Sequence, residues 1–192
     1  MGPKDAKRQD IAAIARELFA EYGYKSVSMD QIAQKSGVAK GTVYLYFKDK
    51  EDILAFLFKQ VLSAIRQMAE EINAMGLPIL EEVHQIVYRF LMYRQNQKFI
   101  YKMVQEAKEL KTPSACRAIK QIDDEVLAYL ERRLRRAVDQ GLLRPVNTEA
   151  LAFIIVKVYT ALAFEWEEEH EKLDELQIAQ SVQLFLKDGL IL

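Results

Sequence analysis

The sequence predicts an all-α protein of about nine helices, and three observations carry that expectation. Of 192 residues, 51% are apolar while only seven are Gly and four are Pro, and the strong helix formers Ala, Leu, Glu, Lys, Gln and Arg fill the stretches between. Apolar residues recur at spacings of three and four, the period of one helix face. Capping residues and glycines then fall at intervals that suit helix starts and stops, with no repeat or low-complexity linker between them.

The first helix is marked by Ile11, Ile14, Ala15, Leu18, Phe19 and Tyr22, and Gly23 can close it in a left-handed cap. In "VSMDQI", residues 27 to 32, Ser28 and Gln31 form a capping box flanked by Val27 and Ile32 as a hydrophobic staple. The helix it opens is short, because Gly37 follows "IAQKS" where a left-handed turn ends it. A third helix spans Ala39 to Phe47, with Val43 and Phe47 one turn apart facing inward. Asp49 caps a long fourth helix, "EDILAFLFKQVLSAIRQMAEEINAM". Further starts fall at Pro78, at Thr112 with Pro113, at Thr148, and at Asp174 with Gln177 three residues on, while Gly76 and Gly141 lie where helices stop.

Composition narrows the function classes. The one cysteine, Cys116, excludes an internal disulfide and a Cys-based zinc site and points to a reducing, cytoplasmic setting. The charged N-terminus lacks the apolar run of a secretory signal. The most hydrophobic stretch, "ALAFIIVKVYTALAFEW", falls short of the roughly 20 residues a membrane span needs and has Lys157 near its middle, so no membrane partner is expected. Net charge is −1, yet residues 1 to 50 sum to +3 and the remainder to −4, a basic head on an acidic body. That asymmetry suits a polyanion at the head alone. No nucleophile with a paired base, glycine-rich phosphate loop or zinc motif is present, so neither catalysis nor a cofactor is expected.

The third helix mixes polar groups into its pattern, "GVAKGTVYLYFKDK" over residues 37 to 50. Two short helices joined by a tight turn at Gly37 form a helix-turn-helix, whose second helix enters the major groove. Lys40 and Thr42 lie near that helix's N-terminus, where unpaired N–H groups favour phosphate. Gly41 lets the backbone approach DNA closely, and Thr42 offers a hydroxyl to a base edge or a methyl to thymine. The Tyr44 and Tyr46 phenols can donate to phosphate oxygens, and Lys50 adds a cation at the start of the fourth helix.

From "IAAIARELFAEYGY" through "SVSMDQIAQKSGVAKGTVYLYFKDKEDIL", about a quarter of the chain, the sequence resembles the N-terminal DNA-binding domain of TetR-family transcriptional regulators. The shared pattern is Ala, Leu-Phe and Gly-Tyr in helix one, then Ile-Ala, Gly-Val and Gly-Thr, then Tyr-x-Tyr/His-Phe and a Lys-Glu opening helix four. The resemblance implies that Thr42 and the position of Ala39 meet bases, whereas Ser28, Lys40, Gly41, Tyr44, Tyr46 and Lys50 mainly hold phosphates. Ala39 departs from the hydroxyl residue often found there. It further implies residues 1–50 as the DNA-binding domain and residues 51–192 as a helical effector-binding and dimerisation domain. The function implied is that of a ligand-responsive repressor, released from an inverted-repeat operator by a small effector, and the apolar stripe in the body suits a largely hydrophobic one.

Pattern alone supports part of that body. Residues 150 to 166 are apolar on nearly every face, and such a helix needs cover on two sides. A second subunit can supply one, with "LQIAQSVQLFL" beside it, giving a homodimer through residues 149–186. For the effector, Leu80, His84, Val87 and Leu91 form a stripe with Tyr88 and Met92 alongside, and Tyr101 and Met103 follow on the next helix. His84, Tyr88, Leu91, Met92, Tyr101 and Met103 are the candidate ligand residues. The charge runs "ERRLRR" and "EWEEEHEKLDE" read as solvated surfaces. A rival reading uses Glu81 with His84 and Glu167 with His170 as two Glu-x-x-His pairs of a di-iron bundle.

Overall fold

Local capping chemistry sets most helix ends. The computed structural model describes residues 3–190, and its first helix, α1 (Pro3–Tyr22), stops at Gly23, where φ is +83°. The Ser28–Gln31 capping box is formed and opens α2 (Met29–Lys35). Gly37, at φ +64°, turns the chain toward α3 (Lys40–Tyr46). The Asp49 carboxylate accepts from the Asp52 N–H at 2.8 Å and starts α4 (Lys50–Ala74).

Then come α5 (Ile79–Asn96), α6 (Lys98–Gln105), a π-helical turn (Glu106–Leu110), α7 (Pro113–Asp139), α8 (Thr148–Thr160) and α9 (Glu175–Leu190). Asn147, not Thr148, caps α8: its side chain accepts from the Ala150 N–H at 3.0 Å, and Thr148 is the first helical residue. Past Thr160 the coil widens into a second π turn, Ala161–Glu165, and a 3-10 turn, Trp166–Glu168. Asp174 and Gln177 form the expected reciprocal cap on α9, at 2.8 and 2.9 Å. Among the described residues there is no β-strand, and no helix is long and apolar enough to cross a membrane.

The chain divides into two compact units, Met1–Ala64 with Arg94–Ile122, and Ile65–Tyr93 with Asp123–Leu192, so the divisions fall inside α4, α5 and α7. In the first unit, α6 lies along α1 and α2 against α3. Its core joins Ile11, Phe19, Ile32, Val43, Phe47, Ile53 and Met103, all fully buried, and Phe99 stacks on Phe19 and meets Phe58 edge-on. Burying one such side chain contributes about 1.5–3 kcal/mol. The second unit packs Ile72, Val87, Leu91, Leu130, Ile155 and Tyr159, with α9 against α8.

That second core also holds charge. The Arg133 guanidinium donates two 2.7 Å bonds to the Glu82 carboxylate, whose side chain is 4% exposed. "ERRLRR" is therefore not wholly a solvated face: Arg132, Arg135 and Arg136 are exposed, while Arg133 reaches inward to pair.

Candidate nucleic-acid interface

Val43 and Phe47, both fully buried, anchor α3 by one side and leave the other outward. On the outward side stand Lys40, Gly41, Tyr44 and Leu45, all exposed, with Thr42 and Tyr46 half-buried at its edges. Lys40 meets Asp30 of α2 at 2.7 Å, and that bond raises the pKa of its ammonium. Both partners are well exposed, so the bridge tethers a cation at the surface and contributes little to stability. Ala39 is the N-cap of α3 and offers no side-chain bond to it, leaving the helix start open toward solvent.

Two residues on this face have no explanation inside the chain. Gly41 has ordinary helical backbone, and a Cβ added there would meet nothing within 4 Å. Glycine inside a helix costs about 0.5–1 kcal/mol relative to alanine, and neither turn geometry nor packing of the folded chain demands it here. Leu45 is 83% exposed, the most exposed large apolar side chain among the described residues. It is not among the candidate residues that the sequence pattern marks. The available signal was its position two residues from Val43 and two from Phe47, which places it opposite the buried stripe.

Ser28 and Lys50 each have partners within the chain. The Ser28 hydroxyl is engaged within its capping box, accepting from the Gln31 N–H at 3.3 Å and lying 3.0 Å from the Gln31 Oε1. Lys50 faces inward: its ammonium donates to the carbonyls of Tyr24 (2.7 Å), Lys25 (3.3 Å) and Val27 (2.6 Å) and lies 4.4 Å from the centre of the Tyr24 ring. Burial pushes its pKa below the ordinary lysine value, and the Glu106 carboxylate opposes that shift. These carbonyls occupy the ammonium that phosphate would need. Lys48, between α3 and α4, is exposed instead.

The six candidate effector residues are divided between the two units. His84, Tyr88, Leu91 and Met92 lie in the second unit, Tyr101 and Met103 in the first. His84 is 3% exposed, its ring stacked on Tyr88 at 5.6 Å. Its Nδ1 is 3.0 Å from the Tyr159 hydroxyl and its Nε2 is 3.4 Å from Glu175. Burial pushes the Tyr159 phenol well above its ordinary pKa, so its hydroxyl keeps its proton and can donate to Nδ1. Leu91 and Met103 are fully buried, and Tyr101 is half-exposed with its hydroxyl accepting from Gln105.

The same contacts leave the di-iron reading without support. Both ring nitrogens of His84 face protein groups, Glu81 accepts from Gln183 at 3.0 Å, and His170 is exposed and stacked on Trp166 at 4.0 Å. Among the described residues, no three His, Cys, Asp or Glu side chains converge to hold a metal. An apolar pocket does exist in the second unit, walled by Ile65, Met68 and Ala69 of α4, Ile86 and Phe90 of α5, and Val126 and Tyr129 of α7. Arg66 and Glu125, also lining it, form a two-bond pair at 2.8 and 2.9 Å. Its volume is ≈ 20 Å³ and none of the six candidates lines it.

Residues 11–56 match the family model described as bacterial regulatory proteins, tetR family. An uncharacterised HTH-type transcriptional regulator of Bacillus subtilis (strain 168), YhgD, is 32% identical over 184 residues, covering 96% of each chain. The fatty acid metabolism regulator protein of the same organism is 47% identical over 74 residues, 38% of each chain. Among solved structures, the regulator FadR from Bacillus subtilis in complex with stearoyl-CoA superposes with a TM-score of 0.71 at 26% identity, covering 94% of this chain and 98% of that one.

Proposed function

We propose that this chain, which belongs to the TetR family of bacterial transcriptional regulators, reads double-stranded DNA with the outward side of α3. It is a ligand-responsive DNA-binding regulator, not an enzyme. The observation that carries the α3 reading is the pair Gly41 and Leu45, whose identities the folded chain does not require and a duplex would use. A bare Cα at 41 admits the sugar–phosphate backbone, and Leu45 can meet a thymine methyl. Thr42, with the N-cap position of Ala39, reads bases. Lys40, Tyr44, Tyr46 and Lys48 hold phosphates, while Ser28 shapes the start of α2. Residues 1–50 act as the DNA-binding domain and residues 51–192 as the effector-binding and dimerisation domain, in a cytoplasmic repressor.

One helix-turn-helix reads too few base pairs for strong specificity, so the reading needs two. The exposed Phe153 and Ile154 of α8 and Leu176 and Leu184 of α9 suit a second copy, which makes a homodimer through residues 149–186 that reads an inverted repeat. For the effector we favour a long acyl chain carried as a thioester, the chemistry of the stearoyl-CoA held by the similar FadR. The α4–α5–α7 pocket has the apolar lining for a chain but holds no more than about one water. An acyl chain must therefore part its walls, and a ligand that demands a rearranged pocket prefers the rearranged state. Helix α4 is the lever, since it follows α3 directly and supplies Ile65, Met68 and Ala69 to the pocket's wall. A hundredfold loss of operator affinity requires about 2.7 kcal/mol of such preference.

Selection of duplexes from a random-sequence pool tests this reading, followed by addition of stearoyl-CoA. Retained fragments should share an inverted repeat, and affinity should fall with salt by a log–log slope of about 0.9 per phosphate neutralised. Gly41→Ala should stabilise the fold by about 0.5–1 kcal/mol while weakening DNA binding. A stabilised variant that binds as tightly as the native chain would remove the case for close approach at α3.

A further inference from the structure

The turn from α1 into α2, residues 23–27, is gripped by two side chains that come from far along the chain. The Glu106 carboxylate, in a residue 4% exposed, accepts from the Lys25 N–H at 2.9 Å. The Lys50 ammonium takes the carbonyls of Tyr24, Lys25 and Val27, at 2.7, 3.3 and 2.6 Å. One charge of each sign thus holds the same five residues, the anion on an N–H and the cation on three C=O groups.

Gly23 completes the fit. Its φ of +83° suits glycine, and a Cβ there would come 3.0 Å from the Glu106 Oε2, so the carboxylate fills the space a side chain would take. Glu106 is itself firmly seated. Its N–H bonds the carbonyls of Lys102 and Met103 at the end of α6, and that helix is bedded by buried Phe99, Ile100 and Met103. A buried carboxylate is costly unless its oxygens are bonded and a countercharge stands near. Here Oε1 accepts the Lys25 N–H and the Lys50 ammonium feels the carboxylate's charge, at the turn that leads into the reading helices.

We propose that Glu106 and Lys50 are a positioning pair for DNA recognition, fixing the α1–α2 turn and, through it, the angle at which α2 and α3 leave α1. This rests on the DNA-reading role given to α3 above. Neither residue contacts the duplex; each acts through the backbone of residues 24–27. The acceptor at 106 matters more than its charge, because its partner is a backbone N–H. A glutamine there keeps that bond, whereas an aspartate, one methylene shorter, keeps the charge but falls short of Lys25.

The test uses the full chain and the duplex that the native protein selects from a random pool. Glu106→Asp and Glu106→Ala should each weaken binding by about tenfold, the worth of one strong hydrogen bond, with base preference and salt slope unchanged. Glu106→Gln should stay within about twofold of the native affinity. Hydrogen exchange at the Lys25 amide should quicken in the Asp and Ala variants and stay slow in the Gln variant. Lys50→Met should weaken binding without lowering the salt slope by the roughly 0.9 that one lost phosphate contact removes. The proposal is overturned if Glu106→Asp binds like the native chain with the Lys25 amide still protected, or if Lys50→Met lowers the slope by that amount. If the native chain selects no duplex, the role given to α3 falls, and exchange at Lys25 still decides whether the clamp exists.

Discussion

Helices α3 and α8 both turn large apolar side chains outward, Leu45 at 83% exposure on one and Phe153 at 52% and Ile154 at 47% on the other. Their polar company differs. Around Leu45 stand Lys40, Thr42, Tyr44 and Tyr46, a cation and three hydroxyls. Around Phe153 and Ile154, Asp124, Glu131 and Glu149 help line an open groove of ≈ 560 Å³ that also takes in Leu127 and Ala128 of α7. Carboxylates repel a polyanion, so the second surface suits protein and the first suits DNA. An exposed apolar residue signals that something will cover it; the polar residues beside it indicate what.

Charge reversal at the α8 surface challenges this contrast most severely. Phe153→Glu combined with Ile154→Glu should give a monomer by light scattering, with helicity retained and operator affinity reduced by about a thousandfold as bivalent binding is lost. A monomer that binds as well as the native protein would erase the distinction. Next in size, Glu82→Ala should strand the Arg133 guanidinium in the second core and cost about 3 kcal/mol in urea unfolding. That loss would show that polar groups in this unit serve stability, whereas Thr42→Ala and Tyr44→Phe on the outward side of α3 should leave the unfolding midpoint nearly unchanged.

Within the α3 face, Thr42→Ala should alter preference at one base position by about 1–2 kcal/mol. Tyr44→Phe should weaken all sequences alike by about 1 kcal/mol, since it removes one phosphate bond. Binding to a panel of single-base operator variants separates the two, and identical profiles would dissolve the division between reading and positioning. The smallest effect concerns the exposed Arg66–Glu125 pair at the rim of the apolar pocket. The Arg66 hydrogen bond holds the Glu125 carboxyl below its ordinary 4.5. Its contribution is fully present above that value and is lost as pH falls through the depressed folded value. Glu125→Gln should therefore slightly flatten the acid limb of a melting-temperature profile and leave neutral pH almost unaffected.

Much of the fold was legible because its signals are local. Ser28 with Gln31 and Asp174 with Gln177 bond across three residues, and Gly23 and Gly37 act through their own backbone, so the helix ends could be read from short windows. The outward placement of Lys40, Gly41 and Tyr44 followed from helical period alone once Val43 and Phe47 were recognised as buried.

What sequence could not assign are the long side chains whose partners arrive from elsewhere. Lys50 reaches back 26 residues to the Tyr24 carbonyl, Glu106 meets an N–H 81 residues away, and Arg133 finds Glu82 at a separation of 51. A lysine, glutamate or arginine in a helical pattern reads as surface by default, since burying an unpaired charge is prohibitive. Packing overrides that default by delivering the partner, and no window of neighbouring residues contains it. Helix limits and the outward face of α3 are thus properties of the chain's local chemistry, while the inward turn of Lys50, the buried seat of Glu106 and the narrowness of the apolar pocket exist only after distant segments have packed.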